Sequence, residues 1–381
     1  MKILKYIVYI FLVLVILYSS WVSYPSMQQD KKEPKDKKLS TPVIINAGQN
    51  SGNGNLVGMQ VSISGIDYST EHRFYDKLET LMQHAKYNGF LNHQTTVLFP
   101  EHIGTFLVLN GEKPSAYLAD DYKKAISSMK LSNIINYYLN YFNSSSSTKD
   151  IETLLKIKAE AVRDTYYKVF SKLAKIYGVY IVAGTIVLPS PIVRDGKIYI
   201  REGKLENVSF VFSPKGDVME LHSAKKTLSK VESYLLNSDK SKTTPLIQSN
   251  LLPYTSAIII SHDTLGNSSY LLNTEKIPDA ILSPSSILKE EDLAWYFSKN
   301  LSKFNPNIKE VLKEKNSPTD LWLTYSLPQW IFFSGARIGL QVFLNGHIIG
   351  LNLSGYSYYI MGTEIDVVPS REDSAIINVW N

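Results

Sequence analysis

Cysteine is missing altogether from these 381 residues. That absence excludes a disulfide framework, a thiolate zinc site and a cysteine nucleophile. An excess of either charge is missing too: 40 Lys and Arg against 35 Asp and Glu leave a formal +5, too small and too dispersed to argue for a nucleic-acid partner. Glycine and proline are few, at 20 and 16, which excludes a collagen-like chain. No P-loop, HExxH or GxSxG signature occurs. The start of a dinucleotide fingerprint at Gly52-Asn53-Gly54 is broken by Val57, and it precedes a strand instead of joining strand to helix. The histidines (His72, His84, His93, His102, His222, His262, His347) are scattered, so no metal site is expected, and nothing calls for an organic cofactor. What is present is a globular composition, 44% hydrophobic and 20% charged, with length enough for one large domain or two ordinary ones.

One long apolar run stands out. Residues 6–22 follow Lys2 and Lys5, and no charge occurs from Tyr6 to Gln29. A spanning helix needs ~20 such residues, with a lower limit of about 17. Residues 1–24 are therefore expected to be a single transmembrane anchor. The alternative is a cleaved signal segment, but the bulky Trp21 and Tyr24 spoil most small-residue cleavage frames. The side of the membrane is contested within the sequence. Lys31, Lys32, Lys35, Lys37 and Lys38 after the span would hold the downstream chain in the cytoplasm by the positive-inside rule, whereas the signal-like start argues for an extracytoplasmic domain, the expectation adopted here. Residues 25–53, ending in a Gly/Asn-rich stretch, read as a polar linker.

From residue 54 to the end, strand and helix patterns alternate, giving an α/β class and one domain over 54–381 with a helical insertion at about 112–150. Strands are expected at 56–61, 96–99, 179–187, 257–260 and 279–282, and helices at about 74–89, 117–142, 151–177 and 291–301. Gly178 suits the C′ position of the third helix. Hairpins are expected over 209–221 and at Asn345-Gly346. Tyr356, Tyr358 and Tyr359 read as strand packing more readily than as a stacking surface.

In α/β sheets functional side chains gather at the carboxyl ends of strands. Glu101, Lys225 and Ser261 each follow an apolar strand here. A carboxylate that takes a proton, an ammonium that steadies an oxyanion and a small nucleophile suit acyl transfer. Taken singly, the three have plainer readings: a charge at a helix start, a solvated lysine and a turn residue.

Their order and context resemble the carbon–nitrogen hydrolase (nitrilase) family. Val57-Gly58-Met59-Gln60 looks like its opening strand, and Val97-Leu98-Phe99-Pro100-Glu101 like its Phe-Pro-Glu strand. Leu173-Ala174-Lys175-Ile176-Tyr177-Gly178, Asn207, Pro214-Lys215-Gly216 and Lys225-Lys226-Thr227-Leu228 with Glu232 follow in the family's order, Thr227 replacing the usual His. Ile260-Ser261-His262-Asp263 is similar to the nucleophile motif, Ala280-Ile281-Leu282-Ser283-Pro284-Ser285 to the segment after it, and Gly355-Tyr356-Ser357 to a late Gly-x-Ser. The resemblance implies a four-layer α-β-β-α sandwich, often dimeric, so a homodimer is one assembly to expect. It also implies Glu101 as general base, Lys225 as oxyanion stabiliser and Ser261 at the nucleophile position, with Glu232 and His262 supporting and a small amide or acyl substrate.

The departure lies at the reacting atom. A thiol of pKa about 8.5 is a few per cent thiolate at neutral pH, whereas a hydroxyl must lose its proton during attack. A carboxylate of ordinary pKa, about 4.3, is a weak base for that task unless burial raises it. Two readings follow: a membrane-tethered amide hydrolase or N-acyltransferase with a serine nucleophile, or a pseudoenzyme that keeps the fold as a binding or scaffold module.

Overall fold

Successive side chains of the buried strands divide between two apolar layers. Leu56 faces one layer, and Val57, Met59 and Val61 the other; Leu98 and Val97 divide likewise, as do Tyr180 and Val182 against Ile181. Strands buried on both faces require cover on both. In the computed structural model, which describes residues 2–28, 41–141, 148–220, 222–238, 246–247, 255–265, 277–288 and 318–381, that cover comes from a second sheet on one side and helices on the other.

The first sheet runs in the order Val43–Ala47, Ala375–Trp380, Asn55–Ser64, Thr95–Leu98, Tyr180–Val182 and Val211–Phe212. The second contains Leu246–Ile247, Ser256–Ile258, Ala280–Ser286, Ile338–Ile348, Tyr358–Met361 and Glu364–Val367. They join where Leu344 to His347 pair in parallel with Val61 to Ser64. Leu98, Ile258, Leu282, Leu340, Val342 and Ile377 pack between the sheets. The approach there is close enough that a Cβ on Gly58 would lie 2.7 Å from Val342 Cγ1. Helices Glu71–Tyr87 and Lys149–Tyr177 cover the outer face of the first sheet, and Pro318–Tyr325 with Leu327–Ser334 the outer face of the second. The layers are thus α-β-β-α.

Several elements differ from the sequence pattern. The single helix expected over 117–142 is three pieces, Pro114–Tyr117, Tyr122–Ser132 and Ile134–Tyr141. Asp121 caps a new start by accepting from the Lys123 and Lys124 amides, and Asn133 breaks the spiral again at φ −117°. The apolar run expected as one strand over 179–187 is two, Tyr180–Val182 and Ile186–Pro189, in different sheets. Gly184 separates them at φ +60°. The hairpin expected at Asn345-Gly346 is displaced: the strand continues to Ile348 and turns at Ile349-Gly350. Gly346 instead admits the neighbouring strand, since a Cβ there would lie 2.0 Å from the Ile63 carbonyl oxygen. Of the expected linker, the N-terminal helix Lys2–Gln28 takes the first residues and Val43–Ala47 is a sheet strand. The helix expected at 291–301 lies outside the described residues.

Candidate active site

Glu101 is delivered by the strand Thr95–Leu98, which pairs on both sides and runs on through Phe99, whose amide donates to the Val182 carbonyl at 2.9 Å. Pro100 has no N–H to continue the ladder, and the chain turns. The turn is pinned from the segment between strands Tyr180–Val182 and Ile186–Pro189: Thr185 Oγ1 accepts from the His102 amide at 2.8 Å and its carbonyl from the Gly104 amide at 2.9 Å. His102 adopts φ +61° within it.

Lys225 follows the short strand Ser223–Ala224, which pairs antiparallel with Leu205–Ser209. Asn207 on that partner strand holds both groups, since its carbonyl accepts from the Lys225 amide at 2.8 Å and its Nδ2 donates to Glu101 Oε1 at 2.9 Å. The Lys225 ammonium donates to Glu101 Oε1 at 2.7 Å and to both oxygens of Glu232 at 2.8 Å. All three side chains are almost wholly buried. Burial pulls the Lys225 pKa down, but the two carboxylates outweigh it and hold the group cationic. Burial likewise pushes Glu232 up, and Lys225 and His102 outweigh that, keeping its carboxyl well below the usual range. Glu101 Oε2 is buried without a hydrogen-bond partner, as are His102 Nε2 and Asn207 Oδ1 beside it.

Ser261 follows the strand Ser256–Ile258 and opens a 3₁₀ turn, Ser261–Leu265, at φ +47°. A left-handed conformation at a non-glycine residue is a strained one that surrounding contacts must hold. Here Asp263 supplies them: its carboxylate accepts from the Lys226 amide at 3.1 Å and the Thr227 amide at 2.5 Å, tying the Ser261 turn to the Lys225 segment. Trp330 Nε1 donates to the Thr264 carbonyl at 2.7 Å from the opposite side. Burial raises the Asp263 carboxyl to about 6, against the lowering effect of those amides. The Ser261 hydroxyl lies 3.3 Å from His262 Nδ1 and 3.5 Å from the Ser286 carbonyl oxygen, and makes no hydrogen bond to Glu101 or Lys225. Burial, and then the charge of Lys225, lower the His262 pKa to about 3, so its ring is neutral at pH 7.

The fold therefore gathers Glu101, Lys225 and Glu232 into one hydrogen-bonded group and ties the Ser261 turn to it through Asp263. His102, one of the histidines scattered in sequence, converges as well, its Nε2 lying 3.4 Å from Glu232 Oε1 and 3.8 Å from Glu101 Oε1. The ligand atoms of Glu101, His102 and Glu232 lie within 4.8 Å of one another, a spacing that could hold a metal ion. The Lys225 ammonium already supplies a cation between the two carboxylates.

No protein-family profile and no curated protein sequence matches this chain. Solved structures do. The carbon–nitrogen hydrolase from Helicobacter pylori G27 superposes with a TM-score of 0.51 at 13% identity, covering 86% of this chain and 88% of that one. An amidase from Nesterenkonia sp. has a TM-score of 0.45 at 13% identity, covering 86% and 93%. The fold is that of the nitrilase-type carbon–nitrogen hydrolases, and at such identities the likeness is one of fold.

Proposed function

We propose that this protein is a membrane-anchored enzyme of carbon–nitrogen hydrolase type that cleaves non-peptide amide bonds or transfers their acyl groups, with Ser261 as nucleophile. The observation that carries the reading is the buried Glu101–Lys225–Glu232 group, with one Glu101 oxygen uncommitted, tied to a strained serine turn. A buried carboxylate oxygen without a partner calls for an explanation, and a general base that meets a substrate proton supplies one.

In this reading the Ser261 hydroxyl attacks the substrate carbonyl carbon as its proton passes to Glu101 Oε2. The Lys225 charge stabilises the oxyanion, one of the ammonium hydrogens shared with Glu232 turning toward it. Collapse breaks the C–N bond, and the amine leaves with the proton from Glu101. Water or a second amine then releases the acyl group from Ser261. Glu232 keeps Lys225 charged throughout, and Asn207 aims Glu101.

Mass spectrometry of the protein after incubation with an activated acyl ester or amide tests this. An acyl adduct on the Ser261 peptide, absent in Ser261→Ala and strongly slowed in Glu101→Gln, is the expected result; an unmodified peptide overturns it. The serine hydroxyl's contact with His262 in place of Glu101 favours a second reading, a fold kept for binding alone. In that case Ser261→Cys gains thiol labelling and amide turnover that the wild type lacks.

A further inference from the structure

The N-terminal helix meets the domain at its far end. Ile3–Val22 is long and apolar enough to cross a membrane, and none of its most apolar stretch is buried in the fold. Its last turns, however, touch the helical insertion. The Tyr18 hydroxyl donates to the Leu131 and Ser132 carbonyls at 3.1 and 3.2 Å. Pro25, four residues after Trp21, has no N–H, so the Trp21 carbonyl lacks its helical donor. The Lys113 ammonium takes that place at 2.5 Å and lies 3.0 Å from the Trp21 ring centroid.

Depth follows from helix geometry. Tyr18 precedes Val22, the end of the apolar span, by four residues or about 6 Å. Helical side chains lean toward the N-terminus, so the Tyr18 hydroxyl lies within the span's length, and the end of helix Tyr122–Ser132 lies there with it. The surface continuing from that point is apolar. Leu131 is exposed, and Ile135, Tyr138 and Leu139, at helical neighbour spacing on Ile134–Tyr141, are 63%, 57% and 72% exposed. This is not a core face left uncovered: the same helix already buries Tyr137, which is hydrogen-bonded to Asp150.

We propose that residues 122–141 form a lipid-seated foot, with Leu131, Ile135, Tyr138 and Leu139 entering the headgroup–acyl boundary of the bilayer that the anchor crosses. A lipid surface fits better than a second protein copy because the patch begins at the helix's exit. There Tyr18 and Trp21 are the aromatic types that favour that boundary. The proposal rests on reading Ile3–Val22 as a membrane span.

Because the chain has no cysteine, single-cysteine variants of the full protein can be labelled at one place. An environment-sensitive fluorophore is placed at Leu139→Cys in phosphatidylcholine vesicles containing spin-labelled lipid as quencher. Leu12→Cys marks the span, and Tyr87→Cys, 90% exposed at the end of helix Glu71–Tyr87, marks water. The expected result is severalfold stronger quenching at 139 than at 87, approaching that at 12. Quenching at 139 no stronger than at 87, with 12 still quenched, overturns the foot and leaves the anchor standing. Unquenched label at 12 overturns both. Blue-shifted emission at 139 without lipid quenching means that protein covers the face, and also overturns the proposal. Ile135→Cys repeats the measurement if the Leu139 variant folds poorly.

Discussion

His262 is buried against Ser261 on one side and the Trp322 ring, 5.4 Å between centroids, on the other. Its pKa of about 3, against 6.5 in the unfolded chain, means that the unfolded state binds the extra proton first. Its contribution to stability is therefore complete above about pH 6.5 and is lost as pH falls from there toward 3. Relative to His262→Asn, the wild type should lose about 2–3 kcal/mol between pH 6 and pH 4, measured by denaturant titration at each pH. A gap that does not change with pH would mean the ring is not held neutral. Asp263 opposes this over part of the window, since its raised carboxyl favours the folded state at lower pH, and the variant comparison separates the two. At this scale the sequence shows Glu101, Lys225, Glu232 and Ser261, because apolar strands or ordered motifs lead into each. His102 is invisible as a site residue. Its place depends on a left-handed turn pinned by Thr185, some eighty positions on, and no local pattern announces that contact.

Among the elements, glycines decide where continuous apolar patterns break. Gly184 sits at φ +60°, and a Cβ there would lie 2.0 Å from the Pro100 carbonyl oxygen, directly before Glu101. Gly178 has a similar φ of +64° at the end of helix Lys149–Tyr177, with open space around it. Gly178→Ala should cost about 1–2 kcal/mol from backbone conformation alone. Gly184→Ala should cost about 2–5 kcal/mol, since steric displacement is added, and should slow acylation of Ser261 by moving Glu101. Equal losses of thermal stability in the two variants would contradict the close approach. The helices at 71–87 and 149–177 are legible because their apolar spacing and their ends agree. The division of 179–187 is not, because both halves are equally buried and only their pairing partners differ.

For the whole molecule, the strand Val43–Ala47 covers the edge of Ala375–Trp380 by five parallel pairings. Uncovered, that fully buried apolar strand presents unpaired backbone groups at a sheet edge. A chain beginning at residue 41 should unfold cooperatively in mild detergent, and one beginning at residue 48 should aggregate or lose cooperativity, as judged by circular dichroism on heating. Equal behaviour would show that the edge needs no cover.

The α/β class, the apolar N-terminal helix and the positions of Glu101, Lys225 and Ser261 after apolar stretches follow from the sequence, because local hydrophobic periodicity and the ends of strands are local properties. The absence of cysteine, and with it the question of a serine nucleophile, is equally a fact of sequence. Tertiary structure alone decides that Glu101 keeps one oxygen uncommitted, that Lys225 is shared by two carboxylates, and that Asp263 ties the Ser261 turn to them. It decides too that the N-terminal helix ends against the 122–141 insertion. Each of these is a contact between residues far apart in the chain, set by how strands stack into two sheets, and no short stretch of sequence carries that information.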